Sequence, residues 1–302
     1  MRNPQREFDN THLSLDQAEA RGFIHRDYLA HCLRWSHVAK KAAKGYKTNR
    51  WLEIGCGKDL PLARLLYTSK LAPTEGYYLG VDLNKLEQHK VFENSTWKPM
   101  LLGGVDALKA LKIEKDELVI DHESTNIQVN DLMTYLCSPL PTHIVSFEVL
   151  EHVNPAYCRK MLEFILELCK AGGSTAFIST PCYDAHVGAA DNHLNEMTYE
   201  ALGGLLEDLG FAINGHWGTF ASQRDYKPFM TPSEQMVFDK LSEYYDSNLL
   251  AIMLAPLHPS RARNCLWELS AAKPDYTRKF VPLAEAAQPW SNHIEYLRLA
   301  GD

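Results

Sequence analysis

A chain of 302 residues, 45% hydrophobic and 23% charged, has the composition of an ordinary globular protein and enough length for a substantial core. Its net charge of −7 and pI near 6.0 argue against a broad phosphate-binding face, although a local basic groove stays open. Seven scattered cysteines without a CxxC pair argue against a disulfide framework or a zinc ribbon and for a reducing, cytoplasmic setting. No apolar run reaches the ~18 residues of a membrane span, and MRNPQREFDN at the N-terminus lacks the apolar stretch of a secretory signal.

Residues 1–20 are polar. From Gly22 to about Gly45, Phe23, Tyr28, Leu29, Leu33, Trp35, Val38 and Ala42 alternate with basic residues. This pattern predicts one or two amphipathic helices ended by Gly45, within an N-terminal extension of residues 1–49. Next comes WLEIGCGKDLPLARLL, residues 51–66. Trp51 to Ile54 read as a buried strand and Gly55-Cys56-Gly57 as a turn that lets backbone approach a ligand. From about Pro61, Leu62, Leu65 and Leu66 share one helical face. A strand, a glycine turn and a helix make a nucleotide-type pocket. Glu53, directly before the turn, would repel a pyrophosphate and favour a cationic ligand, which directs the reading to S-adenosylmethionine rather than NAD.

Tyr78 to Val81 form a second strand, with Asp82 at its carboxyl end. An acid there can accept from both hydroxyls of a ribose. The bland alternative makes Asp82 the N-cap of a helix beginning at Lys85. Met100–Ile113 reads as helical or mixed, and 118–129 as a hairpin or two short strands. Asp131-Leu132 follow, where an acid could accept from an adenine amino group. HIVSFEVLEHV, residues 143–153, is the second strong signal: a strand from Ile144 to Phe147 with Glu148 to His152 at its carboxyl end. A helix over about 155–168 is stopped by Gly172-Gly173, and a strand over 174–180 by Pro181. A helix over 198–209 is stopped by Gly210, and strands follow at 211–220 and 265–271. Between those strands lies an insertion, residues 221–263, with a helix near 233–245 and an apolar piece at 249–254. Residues 273–302 read as a tail without a clear pattern.

Taken together, the Glu53–Gly57 turn, Asp82, FEVLEHV and the Gly-Gly before a further strand resemble class I S-adenosylmethionine-dependent methyltransferases. The likeness spans about Arg50 to Phe220 and the strand near Cys265. Lys58-Asp59 stand where a third glycine often lies. The resemblance implies an α/β, Rossmann-like, doubly wound sheet of seven mostly parallel strands, the last antiparallel. The methyltransferase domain would cover 50–272. It also implies that Gly55, Cys56 and Gly57 line the methionine and ribose of S-adenosylmethionine, with Glu53 beneath. Asp82 and Leu83 would hold ribose and adenine, Asp131 and Leu132 the adenine, and Phe147 and Glu148 the inner side of the cofactor.

The implied reaction moves a methyl group from sulfonium to an oxygen or nitrogen of a modest-sized small-molecule acceptor. His152 and His193 are the candidate general bases, since imidazole titrates near neutrality. No metal is expected. In the alternative, Glu148, Glu151, His152 and His193 bind a magnesium-type ion, as in the small-RNA 3′-terminal 2′-O-methyltransferases that this arrangement resembles. A nucleic-acid acceptor would need a basic groove near the crevice, for which Lys40, Lys41, Lys44, Lys47 and Arg50 are candidates. Cys182 is read as structural rather than as a nucleophile on a pyrimidine ring. A scaffold that binds the cofactor without catalysis is the remaining reading from a different class.

Overall fold

The computed structural model describes residues 26–103, 139–286 and 290–292, with side chains from residue 33 onward. Seven strands form one sheet: β1 Arg50–Ile54, β2 Tyr77–Asp82, β3 Met100–Gly103, β4 His143–Phe147, β5 Thr175–Pro181, β6 Phe211–Phe220 and β7 Asn264–Ala271. Their order is β3-β2-β1-β4-β5-β7-β6. β7 runs antiparallel to both β5 and β6, and the pairs among β1 to β5 are parallel. The Rossmann-like fold with an antiparallel last strand is therefore present, and the insertion lies where the sequence placed it.

Alternation along each central strand explains why both faces carry helices. Leu52, Ile54, Ile144, Ala176, Ile178, Cys265 and Trp267 point to one face. Helices α3 (Pro155–Gly172) and α4 (Tyr199–Leu209) cover it. Trp51, Val145, Phe147, Phe177 and Leu266 point the other way, toward α1 (Arg26–Ala42) and α2 (Pro61–Thr68). Parallel strands buried on both faces read as continuous apolar runs, which is how they appear in the sequence. The helix ends carry the signals expected of them. Asn154 accepts from Tyr157 N at 2.8 Å ahead of Pro155. Thr198 accepts from Ala201 N at 3.2 Å, and Gly173 and Gly210 close their helices at φ +64° and +108°. In the insertion, α5 (Pro232–Leu241) and α6 (Ser247–Leu254) follow the single helical turn Gln223–Tyr226.

Two local alternatives are decided. Met100 to Gly103 form edge strand β3, which favours the mixed over the helical reading of that run. Four residues, one of them the exposed Met100, are too few to show a strand period in sequence. No helix starts at Lys85; Asp82 instead closes a local turn by accepting from Asn84 N at 2.8 Å. Residues 118–129, Asp131 and Leu132 lie outside the described residues.

Candidate active site

The carboxyl ends of β1, β2, β4 and β5 meet at one edge of the sheet, and the predicted residues that lie among those described stand at or beneath it. In the glycine turn, Gly55 takes φ +74° and Gly57 φ +63°, backbone that disfavours any side chain. Gly55 N donates to Val81 O at 2.8 Å, and a Cβ on Gly55 would stand 2.2 Å from Val149 Cγ2. The turn after β1 is thus locked to the turn after β4. A Cβ on Gly57 would meet nothing within 4 Å, so this backbone faces open space. Gly57 N donates to Asp82 Oδ2 at 2.9 Å, which fixes the carboxylate at the crevice while leaving it partly exposed. Leu83, 47% exposed, stands beside it.

Glu53 and Cys56 are placed differently from a ligand-facing pair. Glu53 is 2% exposed and accepts from the Tyr78 hydroxyl. Burial, and after it the charge of Asp82, pushes its carboxyl up to about 8, so the neutral acid prevails at pH 7. It supports the turn from below and does not present a negative charge to the ligand. The Cys56 thiol packs with Trp51, Leu60 and Tyr78 under the sheet, and burial pushes its pKa up.

After β4 the chain turns sharply: Glu148 adopts φ +57°, a strained conformation for a residue with a Cβ, costing roughly 1–2 kcal/mol. Its side chain shows what holds it. Glu148 pairs with Arg34 of α1, accepts from Ser179 Oγ at 2.9 Å and accepts from Asn264 Nδ2 at 2.8 Å. Arg34 is 1% exposed and donates to Ser179 Oγ at 2.9 Å. Asn264 in turn accepts from Thr219 Oγ1 at 2.7 Å. This polar chain runs along the sheet edge where β4, β5 and β6 end and β7 begins. Phe147 lies under α1, 4.7 Å from the ring of Trp35. Neither Arg34 nor Asn264 could be found in the sequence, because neither stands at a motif spacing.

The third group is Glu151, His152 and His193, whose ligand-type atoms lie within 4.8 Å of one another. Glu151 is buried at 1% exposure. Its Oε2 accepts from Thr180 Oγ1 at 3.1 Å, while Oε1 has no hydrogen-bond partner among the described residues and lies 3.9 Å from His152 Nε2. Burial, followed by the charge of Glu148, raises its pKa well above the usual carboxylate range. His152 Nδ1 is 3.1 Å from Asn192 O, an acceptor, so this nitrogen donates and Nε2 is the ligand atom of the neutral ring. His193 Nδ1 bonds to the Glu196 carboxylate, which selects the same tautomer. The rings sit 4.8 Å apart, nearly perpendicular. Glu196 is a positioning acid that the sequence reading missed, although it stands three residues after His193 in the same loop.

The remaining candidates fall elsewhere. The basic run from Lys40 leads into the amino end of β1, the sheet edge opposite the crevice, and Lys41 pairs with Glu268 at 3.0 Å. It therefore builds no groove at the site. Cys182 is half-buried, packs against the core and hydrogen-bonds through its backbone to Arg263 O.

A family model described as a methyltransferase domain matches residues 25–215, nearly all of the sheet up to β6, and the chain belongs to that family. Its methyl donor is S-adenosylmethionine. Solved structures of similar fold include magnesium protoporphyrin IX methyltransferase from Synechocystis PCC 6803 with bound SAH. That match has 13% identity and a TM-score of 0.44, over 89% of this chain and 92% of that one. A SAM-dependent methyltransferase from Archaeoglobus fulgidus matches at 15% identity and a TM-score of 0.42, over 84% and 97%. The small RNA methyltransferase HEN1 matches at 12% identity and a TM-score of 0.40, over 80% and 26%. No curated protein matches the chain. The edge where β1 and β2 end thus offers open backbone at Gly57 and a fixed, partly exposed carboxylate at Asp82.

No helix among the described residues is long and apolar enough to cross a membrane.

Proposed function

We propose that the enzyme methylates a hydroxyl oxygen of a modest-sized acceptor, and that Glu151, His152 and His193 hold a divalent cation against that hydroxyl. The observation that carries this reading is the buried Glu151 Oε1, without a hydrogen-bond partner among the described residues, 3.9 Å from His152 Nε2 and on a side chain that clusters with both imidazoles. A buried polar oxygen without a hydrogen-bond partner is costly, and coordination to a cation would remove that cost and favour the ionised carboxylate. Both histidines spend Nδ1 on an acceptor, which fixes the tautomer that ligates through Nε2. Two imidazoles and a carboxyl suit a first-row transition ion better than magnesium, which prefers oxygen ligands. When bound, such an ion lowers the pKa of an attached hydroxyl. The protein's own part is to orient the two imidazoles, keep Glu151 dry and hold donor and acceptor in line, because the sulfonium is already reactive. This reading departs from the metal-free expectation of the sequence.

The geometry favours three protein ligands over four, since Glu148 is engaged by Arg34, Ser179 and Asn264. Transfer from methyl-labelled S-adenosylmethionine to a panel of small phenols, diols and amines tests the proposal. Label should enter hydroxyl acceptors in the presence of Mg²⁺ or Mn²⁺, fall at least tenfold with EDTA, and fall comparably in His152→Ala and His193→Ala. Full transfer in EDTA with loss only in the histidine variants would replace the cation by a general base. Transfer to amines alone would overturn the choice of oxygen.

A further inference from the structure

The tail beyond residue 273 shows no pattern in sequence and lies outside the span matched by the family model. In the fold its residues 276–283 are strapped along α4. The buried Glu207 carboxylate accepts from Tyr276 Oη at 2.6 Å, Lys279 N at 2.8 Å and Phe280 N at 2.9 Å. Asp208 accepts from Leu283 N at 2.9 Å. Two glycines inside α4 make room for it: a Cβ on Gly203 would stand 2.4 Å from Phe280, and one on Gly204 2.6 Å from Val281 O. Mid-helix glycine disfavours a helix, so α4 is shaped around the strap.

The strap reaches the loop that carries His193. Trp290 is buried at 3% exposure in the core under α4. Ser291 next to it holds Glu196 through both backbone groups: Glu196 N donates to Ser291 Oγ at 2.8 Å, and Ser291 N donates to Glu196 O at 3.1 Å. Glu196 is the residue whose carboxylate fixes the His193 ring, and the same carboxylate accepts from Ala190 N at 3.2 Å. A continuous path thus runs from the C-terminal segment to an imidazole at the candidate cation site.

We propose that Ser291 is a positioning residue for His193, acting through Glu196, so that the C-terminal segment is part of the active site; the functional meaning of this rests on the reading of His193 given above. With Glu196 pinned at its backbone, its carboxylate keeps one place and holds His193 Nδ1, so the ring keeps its position in the cluster with Glu151 and His152. Ser291→Ala removes the acceptor for Glu196 N and loosens that hold.

The test uses the full chain. Nitrogen-15 NMR of the histidine rings reports the tautomer and the exchange of the Nδ1 proton of His193, with no metal needed. Mn²⁺ binding followed by electron paramagnetic resonance reports the site itself. In the wild type, His193 should show a protected, downfield Nδ1 proton. Ser291→Ala should lose that protection and bind Mn²⁺ roughly tenfold more weakly, whereas Ser291→Thr, which keeps the oxygen, should restore both. S-adenosylmethionine affinity should stay unchanged and Tm should fall by no more than about 3 °C. A His193 ring in Ser291→Ala indistinguishable from wild type would overturn the proposal whatever Mn²⁺ does. A wild type that binds no Mn²⁺ while Ser291→Ala still alters the His193 ring would sustain the positioning role and remove the cation reading instead.

Discussion

Glu53 shows how far a motif residue can change its meaning once its surroundings are known. In sequence, an acid before two glycines reads as a negative charge offered to a cationic ligand. In the fold it is buried, bonded to Tyr78 and raised to about 8. The sign of its effect on stability follows from this shift. Below about pH 4.5 the group is protonated whether folded or unfolded. Between there and pH 8 the folded state holds a proton that the unfolded chain has lost, so its contribution to stability falls as pH rises through this window. Glu53→Gln removes that term. The variant should gain stability relative to wild type between pH 5 and pH 8, by up to about 4 kcal/mol. Denaturant unfolding at several pH values measures it, and a difference that stays constant with pH would show that Glu53 is ionised in the folded protein.

The elements meeting at the carboxyl edge are tied together by α1, which the sequence identifies only as a helical preface. Arg34 projects from this helix into the sheet edge and neutralises Glu148, which sits in left-handed backbone. Removing one member of a buried pair leaves the other charged and without compensation, at a cost of about 3–5 kcal/mol. Arg34→Met should therefore destabilise the whole domain by about that amount, and Arg34→Met with Glu148→Gln should recover much of the loss. Thermal unfolding of the single and double variants checks the coupling; additive losses would mean that the two side chains act independently. The glycine turn, the helix caps and the strand ends were legible because each rests on residues close together in sequence. The Arg34–Glu148 pair spans 114 positions and the Glu196–Ser291 contact 95, and no local pattern encodes either. β3 was only half legible for another reason: a four-residue edge strand carries too little alternation to separate it from a helix.

At the scale of the molecule, the doubly wound sheet brings two groups of residues to one edge. Gly57 and Asp82 lie at the ends of β1 and β2, where the proposed function puts the methyl donor; Glu151, His152 and His193 lie beyond β4 and β5, where it puts the acceptor. Most of this was legible from the strand and turn signals, including the antiparallel β7 that the family resemblance implied. The proposed acceptor side was half legible. Both histidines were visible, but the buried oxygen of Glu151 that faces them is a property of packing. Equally, nothing in the tail sequence announced that Ser291 returns to the loop holding His193. Diffraction from crystals grown with S-adenosylmethionine and Mn²⁺, recorded at a wavelength where manganese scatters anomalously, tests the arrangement most directly. The account predicts one anomalous peak within ligand distance of Glu151 Oε1 and the Nε2 atoms of His152 and His193, with the cofactor over Gly57 and Asp82. A cofactor bound there with no manganese among those three side chains would contradict it.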